Sequence, residues 1–399
     1  MTDTVSPPVF VPASVQAGLR ARAEALVPDL AARAAETESL RRIPDQNIAD
    51  LKAAGLHRIC QPARFGGAET PLDEACDIVA ILARGCSSTG WVAGVYTDHQ
   101  ILLGMFNDQA ADDVWGENPD NLVSAGFTPS GKATPVDGGW RVSGNWGWSS
   151  GCDHADWLIL VTLLPSGESG AVEPNFCLVP RAEVVIEDNW NVMGLAGTGS
   201  KNFSVEDAFV PAHRTLPGRL AAVGGAGRGQ VDGPALYRLP HPPCVPFLLV
   251  TPALGVAEGL LDQVTTEMTT RASRGVPIAE YQSLQLHIAE AAAEIDAARL
   301  LLMRDTGDAM TAMQDGRDLT LLERARNRRD HAYIVRLCRQ AVGRLFTAVG
   351  GQGIFLDNAA QRKFRDIHAM SGHLALGWDI AGTTYGRVAL GLEPDARLI

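Results

Sequence analysis

The stretch that most limits what this chain can become follows Pro277. There Leu284, Ile288, Ala291, Ile295, Ala298 and Leu302 step by four and three residues in strict alternation. Only a helical repeat brings such positions onto one stripe, so the stretch predicts a long helix packed along others in a bundle. Everything after Pro246 reads the same way, with further long helices expected over 251–274, 319–349 and 358–389. The chain also begins helical. Leu19, Ala23, Leu26, Leu30 and Ala34 recur at helical steps, a helix over 44–54 stops at Gly55, and helices follow over 72–82 and 90–106. Between these blocks, from Asn121 to about Leu216, short β-runs such as 157–164 and 184–186 are parted by Gly, Pro and Asp, as in a compact barrel or sandwich. The glycine-rich segment 217–233 reads as a connection or a lid. The expected division is a helical domain over 1–120, a β-domain over 121–216, a connecting segment over 217–245 and a helical bundle over 246–399.

The centre of the β-region is 139–157, GWRVSGNWGWSSGCDHADW. Its Ser143-Gly144 pair predicts a tight turn between two strands. Period-two alternation in the second strand sends Trp146, Trp148 and Ser150 to one face and Gly147 and Ser149 to the other. A flat heterocycle with polar edges suits such a surface; the same indoles would also serve a β-core.

Among 399 residues, 46% are hydrophobic and 20% charged, the composition of a globular protein rather than a disordered one. A net charge of -12 argues against nucleic acid or an anionic membrane as partner. No membrane span and no secretion signal are expected. Seven scattered cysteines, with no CxxC pair, suggest reduced thiols in the cytoplasm and no metal site. No GxGxxG follows a strand and no GxxxxGK[ST] is present, so nothing is built to hold NAD or ATP.

Five pieces in order resemble the acyl-CoA dehydrogenase fold over nearly the whole chain. Gln61 to Gly67 (QPARFGG) is similar to the family's early Pro-x-x-Phe/Tyr-Gly-Gly loop, and Trp148-Ser149-Ser150-Gly151 stands where dehydrogenases carry the flavin-contacting Trp-Ile-Thr-Asn strand. GTGSKNFSVEDAFVP over 197–211 resembles the strand closing the β-domain. RASRGVPIAEYQ over 271–282 resembles the Arg-x-x-Phe-Gly-x-Pro flavin-phosphate motif, and Gly350-Gly351-Gln352-Gly353 followed by Arg365-Asp366 resembles the last landmarks. The resemblance implies an α+β fold: an N-terminal helical domain, a central β-barrel domain and a C-terminal four-helix bundle. One departure is decisive for activity. Dehydrogenases use a carboxylate base commonly placed about nine residues after the Arg-Asp pair, and here no Glu occurs between Glu323 and Glu393. These variants resemble the oxygenase component of two-component flavin monooxygenases on the same fold, the group that hydroxylates phenols, polyketides and indoles.

That resemblance implies reduced FMN or FAD delivered by a separate NAD(P)H-flavin reductase, O2 as co-substrate, a C4a-hydroperoxyflavin, a small aromatic substrate and a homotetramer. Ser149 is the first choice for the flavin contact, with Trp148 beside it and Ser150 if the alignment slips by one. Arg271 is expected at the flavin phosphate as a charge-assisted donor. Arg274 replaces the adenine-packing Phe and favours FMN, while Gln282, Ser200 and Gly351 are weaker carry-overs. His373, seven residues beyond Asp366, is the acid–base candidate, either taking a phenolic proton or hydrogen-bonding the bound oxygen. His368 lies about 140° away round a helix, so only one of the two faces a pocket. His99 stands in a polar interruption of an apolar helix and is a second pocket candidate, while Asp153 and His154 are expected to make local or subunit contacts. Trp91, Tyr96, Trp190, Met193 and Trp378 are candidates to line an aromatic substrate pocket, or to be core. The alternatives are N- or S-oxygenation, an acyl-CoA dehydrogenase-like desaturation, and a non-catalytic flavin-binding protein.

Overall fold

The computed structural model describes residues 13–166, 171–223, 233–273 and 275–394. The first helices are α1 (Ala13–Ala32), α2 (Ala34–Leu40), α3 (Asp45–Ala53), α4 (Leu72–Gly85), α5 (Ser87–Gly104) and α6 (Asp108–Trp115). Gly55 takes a left-handed φ of 72° just past α3, the conformation in which glycine ends helices. After the β-region come α7 (Gly218–Ala221), α8 (His241–Cys244) and α9 (Phe247–Thr270). Most of the expected 217–233 connection, residues 224–232, lies outside the described residues.

Among the described residues eight strands fall between the helical blocks: β1 (Val123–Gly126), β2 (Lys132–Val136), β3 (Gly139–Ser149), β4 (Trp157–Ser166), β5 (Ala171–Pro180), β6 (Val184–Glu187), β7 (Lys201–Pro211) and β8 (Thr215–Pro217). They form two four-stranded sheets, ordered β1-β4-β5-β8 and β2-β3-β7-β6, rather than one closed barrel. Each sheet's inner face contributes to a shared core of Val142, Trp146, Leu158, Leu160, Val179, Phe203 and Val210. That arrangement buries the indole of Trp146 flat against Phe203, 5.6 Å between centroids, with no need for ladder bonds between the sheets.

Two local expectations fail here. The hairpin turn falls at Asp137-Gly138, where Gly138 has φ 76°, and β3 runs unbroken through Ser143-Gly144. The Ser-Gly pair instead faces a bulge in β7 centred on Asp207, whose N–H donates to Ser143 Oγ at 2.8 Å. A second bulge, on β3 between Trp146 and Ser149, breaks the alternation. Trp148 takes a left-handed φ of 66° there and turns out to 71% exposure, whereas Trp146 and Ser149 point inward.

The C-terminal part continues with a two-stranded ribbon, β9 (Ala272–Ser273) and β10 (Val276–Pro277), then α10 (Gln282–Gln314), α11 (Leu321–Val349), α12 (Ala359–Met370) and α13 (Trp378–Ala389). The stripe on α10 packs as expected, with Leu284, Ala291, Ile295, Ala298 and Leu302 buried and Ile288 against the same core. The single helix expected over 358–389 is broken between α12 and α13, so helical geometry carries no angle from His368 to His373. One hydrophobic core runs from Leu19 on α1 through α4, α5 and α9 to Leu345 on α11. His241–Thr270 is apolar and long enough to cross a membrane, but 83% of its apolar window is buried, as befits a core helix. Glycines allow α9 to lie almost backbone to backbone on its neighbours. A Cβ on Gly255 would stand 2.0 Å from the Ala80 carbonyl oxygen, and one on Gly94 of α5 would stand 2.3 Å from that of Leu248. Gly255→Ala is therefore expected to destabilise the fold by about 1–3 kcal/mol. Gly343→Ala on α11, where a Cβ meets nothing within 4 Å, is expected to be neutral or mildly stabilising. Urea unfolding of the two variants checks the contrast.

Candidate active site

Helix α5 is buried on every side, so its polar side chains must find partners inside the protein. They reach in three directions. Trp91 Nε1–H donates to Ser150 Oγ at 3.1 Å, and Tyr96 O–H to the Gly151 carbonyl at 2.7 Å. His99 Nδ1–H donates to the Val123 carbonyl at 2.7 Å, and Asp98 accepts from His241 Nε2–H on α8 at 3.0 Å. The helix thereby gathers β1, the end of β3 and the start of the C-terminal helices around one place.

The serines beyond the β3 bulge form two hydroxyl chains whose direction follows from their ends. Ser124 O–H donates to the Ser150 carbonyl at 2.7 Å, so the 2.8 Å contact between Ser149 and Ser124 is donated by Ser149. Thr198 O–H donates to the Leu195 carbonyl at 2.8 Å. Ser200 therefore donates to Thr198, and Ser150 to Ser200, each at 2.7 Å. Ser149, the first choice from sequence, is sealed at 0% exposure, because the bulge turns it away from Trp148. Ser150 instead shares the Trp91 indole with His373, whose ring lies 5.7 Å from it edge-on. The exposed Trp148 stands edge-on to Trp190 at 5.4 Å, held in a backbone conformation that costs about 1–3 kcal/mol for a non-glycine residue.

His373 caps a short turn, Leu374–Leu376, and its Nδ1 accepts from the Ala375 N–H at 3.2 Å. In the neutral ring the proton therefore sits on Nε2. Burial holds this imidazole below its usual pKa; Asp98 opposes that shift and Arg328 adds to it. His368 donates Nδ1–H to the Phe364 carbonyl within α12, stacks on Phe364 and stands apart from this group. Burial likewise keeps His99 neutral, with Asp98 opposing. Phe127 packs edge-on against His99 at 5.5 Å and Phe176 at 5.9 Å, and lies 6.2 Å from His241. Sequence reasoning missed His241, Phe127, Phe176 and Arg328. The polar Asp98 inside an apolar helix was the one signal that pointed toward them.

The other expected residues scatter. Tyr96 belongs to a small core with Ile43, Ile48, Val92 and Leu122. Trp190 donates to the Leu195 carbonyl, and Met193 is exposed on the same loop. Trp378 begins α13 and packs on Tyr333. Asp153 pairs with Lys201 at 2.9 Å and His154 bonds the Ile43 carbonyl, contacts within the chain to residues 48 and 111 positions away rather than local ones. Arg271 approaches the Val349 carbonyl at 3.4 Å, next to Gly351 in the turn after α11 and near Gln282 at the head of α10. This group sits past the end of α9, whereas Gly94 of α5 touches Leu248 at its beginning, a separation of about 30 Å along the helix. Arg274 lies outside the described residues. A cavity of about 320 Å³ opens elsewhere, against Arg84, Lys363 and Asp366, behind α12.

Residues 247–378 match the model of the acyl-CoA dehydrogenase C-terminal domain. The FADH2-dependent resorcinol hydroxylase, oxygenase component, of Rhizobium sp. is 38% identical over 375 residues, spanning 91% of this chain and 92% of that one. The crystal structure of the HsaA monooxygenase from Mycobacterium tuberculosis superposes with a TM-score of 0.90 at 32% identity, covering 96% of this chain and 100% of that one. XiaF from Streptomyces sp., in complex with FADH2 and glycerol, gives a TM-score of 0.90 at 27% identity over 97% of this chain and 98% of its own. The chain belongs to the oxygenase components of flavin-dependent monooxygenases, built on the acyl-CoA dehydrogenase fold.

Asp366 ties α12 to this centre: it accepts from the Leu195 N–H at 2.7 Å, and the Leu195 carbonyl ends the Ser150 hydroxyl chain. Burial raises its pKa to about 6, above that of an unfolded aspartate. The folded state thus holds its proton more tightly, and stability is lost as pH rises through the window from about 4 to 6. Asp366→Asn keeps the acceptor without the charge. At pH 7.5 it is expected to raise the unfolding free energy by about 1–3 kcal/mol, with the gain vanishing toward pH 4, as read by urea unfolding at several pH values.

Proposed function

We propose that this chain takes reduced flavin from a separate NAD(P)H-flavin reductase and, with O2, hydroxylates a small aromatic or heteroaromatic ring. The observation that carries the reading is the meeting of Trp91, Ser150 and His373 in a chain without a Glu between Glu323 and Glu393. The resemblance implies a carboxylate base in this region of a desaturase, and an imidazole beside a directed hydroxyl chain supports a different chemistry. The exposed Trp148, strained and propped by Trp190 next to Gly147, suits a flat ring system laid upon it. Trp148 and Ser150 would hold the isoalloxazine, and His373 would meet its reacting side. Bound reduced flavin supplies, with O2, the electrophilic oxygen for the ring. His373 holds a proton on Nε2, which fits a hydrogen-bond donor to that oxygen better than an acceptor of a phenolic proton. Buried Trp91 and partly buried Phe176 help keep water away. Reduced FAD is the preferred flavin, since the Rhizobium relative is named for FADH2 and XiaF binds it.

Arg271, Gln282 and Gly351 stand too far along α9 to serve the flavin of their own chain, so we assign them to the flavin of a second copy and read the enzyme as a homotetramer. The same reading keeps the divisions at 120, 216 and 245 and a cytoplasmic location, in keeping with seven buried, unpaired cysteines.

Rapid mixing of the reduced-FAD protein with oxygenated phenols, with hydroxylated product counted against hydrogen peroxide, tests the function. The wild type is expected to couple flavin oxidation to product. Peroxide alone from every phenol, indole and amine tried would overturn the reading. His373→Ala is expected to lower product formation by about 100-fold, with reduced-FAD affinity within about threefold of wild type. Light scattering is expected to give four copies, and Arg271→Ala to weaken FAD affinity by about tenfold or more.

A further inference from the structure

We propose that His241, oriented by Asp98, is a second hydroxyl-reading group opposite His99, so that the pocket takes an aromatic ring carrying two phenolic hydroxyls. This rests on the hydroxylase reading above and narrows its substrate class.

Each imidazole has one nitrogen committed and one left over. His99 gives Nδ1–H to the Val123 carbonyl, so its Nε2 carries a lone pair. His241 gives Nε2–H to the Asp98 carboxylate, which leaves Nδ1 as the lone-pair nitrogen of its neutral ring. Neither remaining nitrogen has a protein partner among the described residues, although both residues are buried. Neither nitrogen is sealed off inside the protein, so both face open space that a ligand's donors can enter. The two rings are neighbours of one side chain, Phe127, at 5.5 Å and 6.2 Å between centroids. Phe127 thus packs against both imidazoles, with Phe176 6.1 Å from His241, so an aromatic ring laid against Phe127 would meet both. Phe127 itself is 38% exposed, a large apolar surface that an aromatic ligand would cover.

Asp98 and His241 do more than fill the core. His241 heads the one-turn α8, between Pro240 and Pro242, which fixes the backbone direction of its side chain. Asp98 sits between His241 and His99 on α5, and its charge also reaches His373. It acts as a positioning residue: it sets the His241 tautomer without itself facing the ring. Two lone-pair nitrogens match two O–H donors, whereas a single phenol leaves one of them unanswered.

The test is anaerobic calorimetry of resorcinol, hydroquinone and phenol binding to the protein loaded with reduced FAD. At least one dihydroxybenzene is expected to bind about tenfold or more tightly than phenol, the worth of one well-made hydrogen bond. His241→Phe is expected to abolish that advantage while leaving phenol affinity within about threefold, which also shows that the variant folds. Asp98→Ala is expected to lose the advantage, and Asp98→Asn, which keeps an acceptor for His241, to retain most of it. An equal preference in the wild type, an advantage that survives in His241→Phe, or equal weakening of phenol and dihydroxybenzenes would overturn the proposal. Binding is read without O2, so a protein that discriminates but yields no product would sink the hydroxylase reading and leave this one standing.

Discussion

The complete burial of α5 is the constraint on which the rest depends. A helix enclosed on every side cannot leave a polar side chain to water, so each of its indole, phenol, imidazole and carboxylate groups must meet a partner on another element. Trp91 finds Ser150, Tyr96 finds Gly151, His99 finds Val123 and Asp98 finds His241. Those four bonds hold the β-sheets and the start of the C-terminal helices at fixed positions around the candidate site. The glycines at positions 94 and 255 let the same bundle close tightly enough to exclude water. Burial is also the common origin of the depressed pKa values of His99 and His373, so packing and chemistry have one cause here.

The β3 bulge is the second organising feature. By adding one residue between Trp146 and Ser149 it separates two indoles that simple alternation places together. Trp146 becomes core against Phe203, and Trp148 becomes an exposed platform. Ser149 and Ser150 then enter two different hydroxyl chains, of which only the second touches the Trp91 indole beside His373. Bulges near active sites commonly re-aim side chains in this way, at the expense of local strain.

Much of this was legible in the residues. The stripe on α10, the helix stop at Gly55 and the switch from helical to β text near Asn121 depend on nearest neighbours and on periodicity, which are properties of the string itself. Relatedness was legible as well, because short landmarks kept their order and spacing. What misled were features that depend on a partner strand. Ser143-Gly144 resembles a turn until Asp207 is set opposite it, and Ser149 falls on the face opposite Trp146 only until the bulge is counted. The helix expected to carry His373 ends at Met370, so the orientation of its ring comes from capping the next turn.

The sequence by itself determined the helical and β blocks and the residue types available for chemistry, which follow from local periodicity and composition, and the family, through the resemblance of landmarks kept in order. The tertiary structure alone decided which nitrogen of each histidine is committed, which serine lies beside Trp91, and that His241 meets Asp98. Those facts turn on hydrogen bonds between residues as far apart in the chain as Asp98 and His241. No local pattern records which distant carbonyl or carboxylate folding will bring to a given ring.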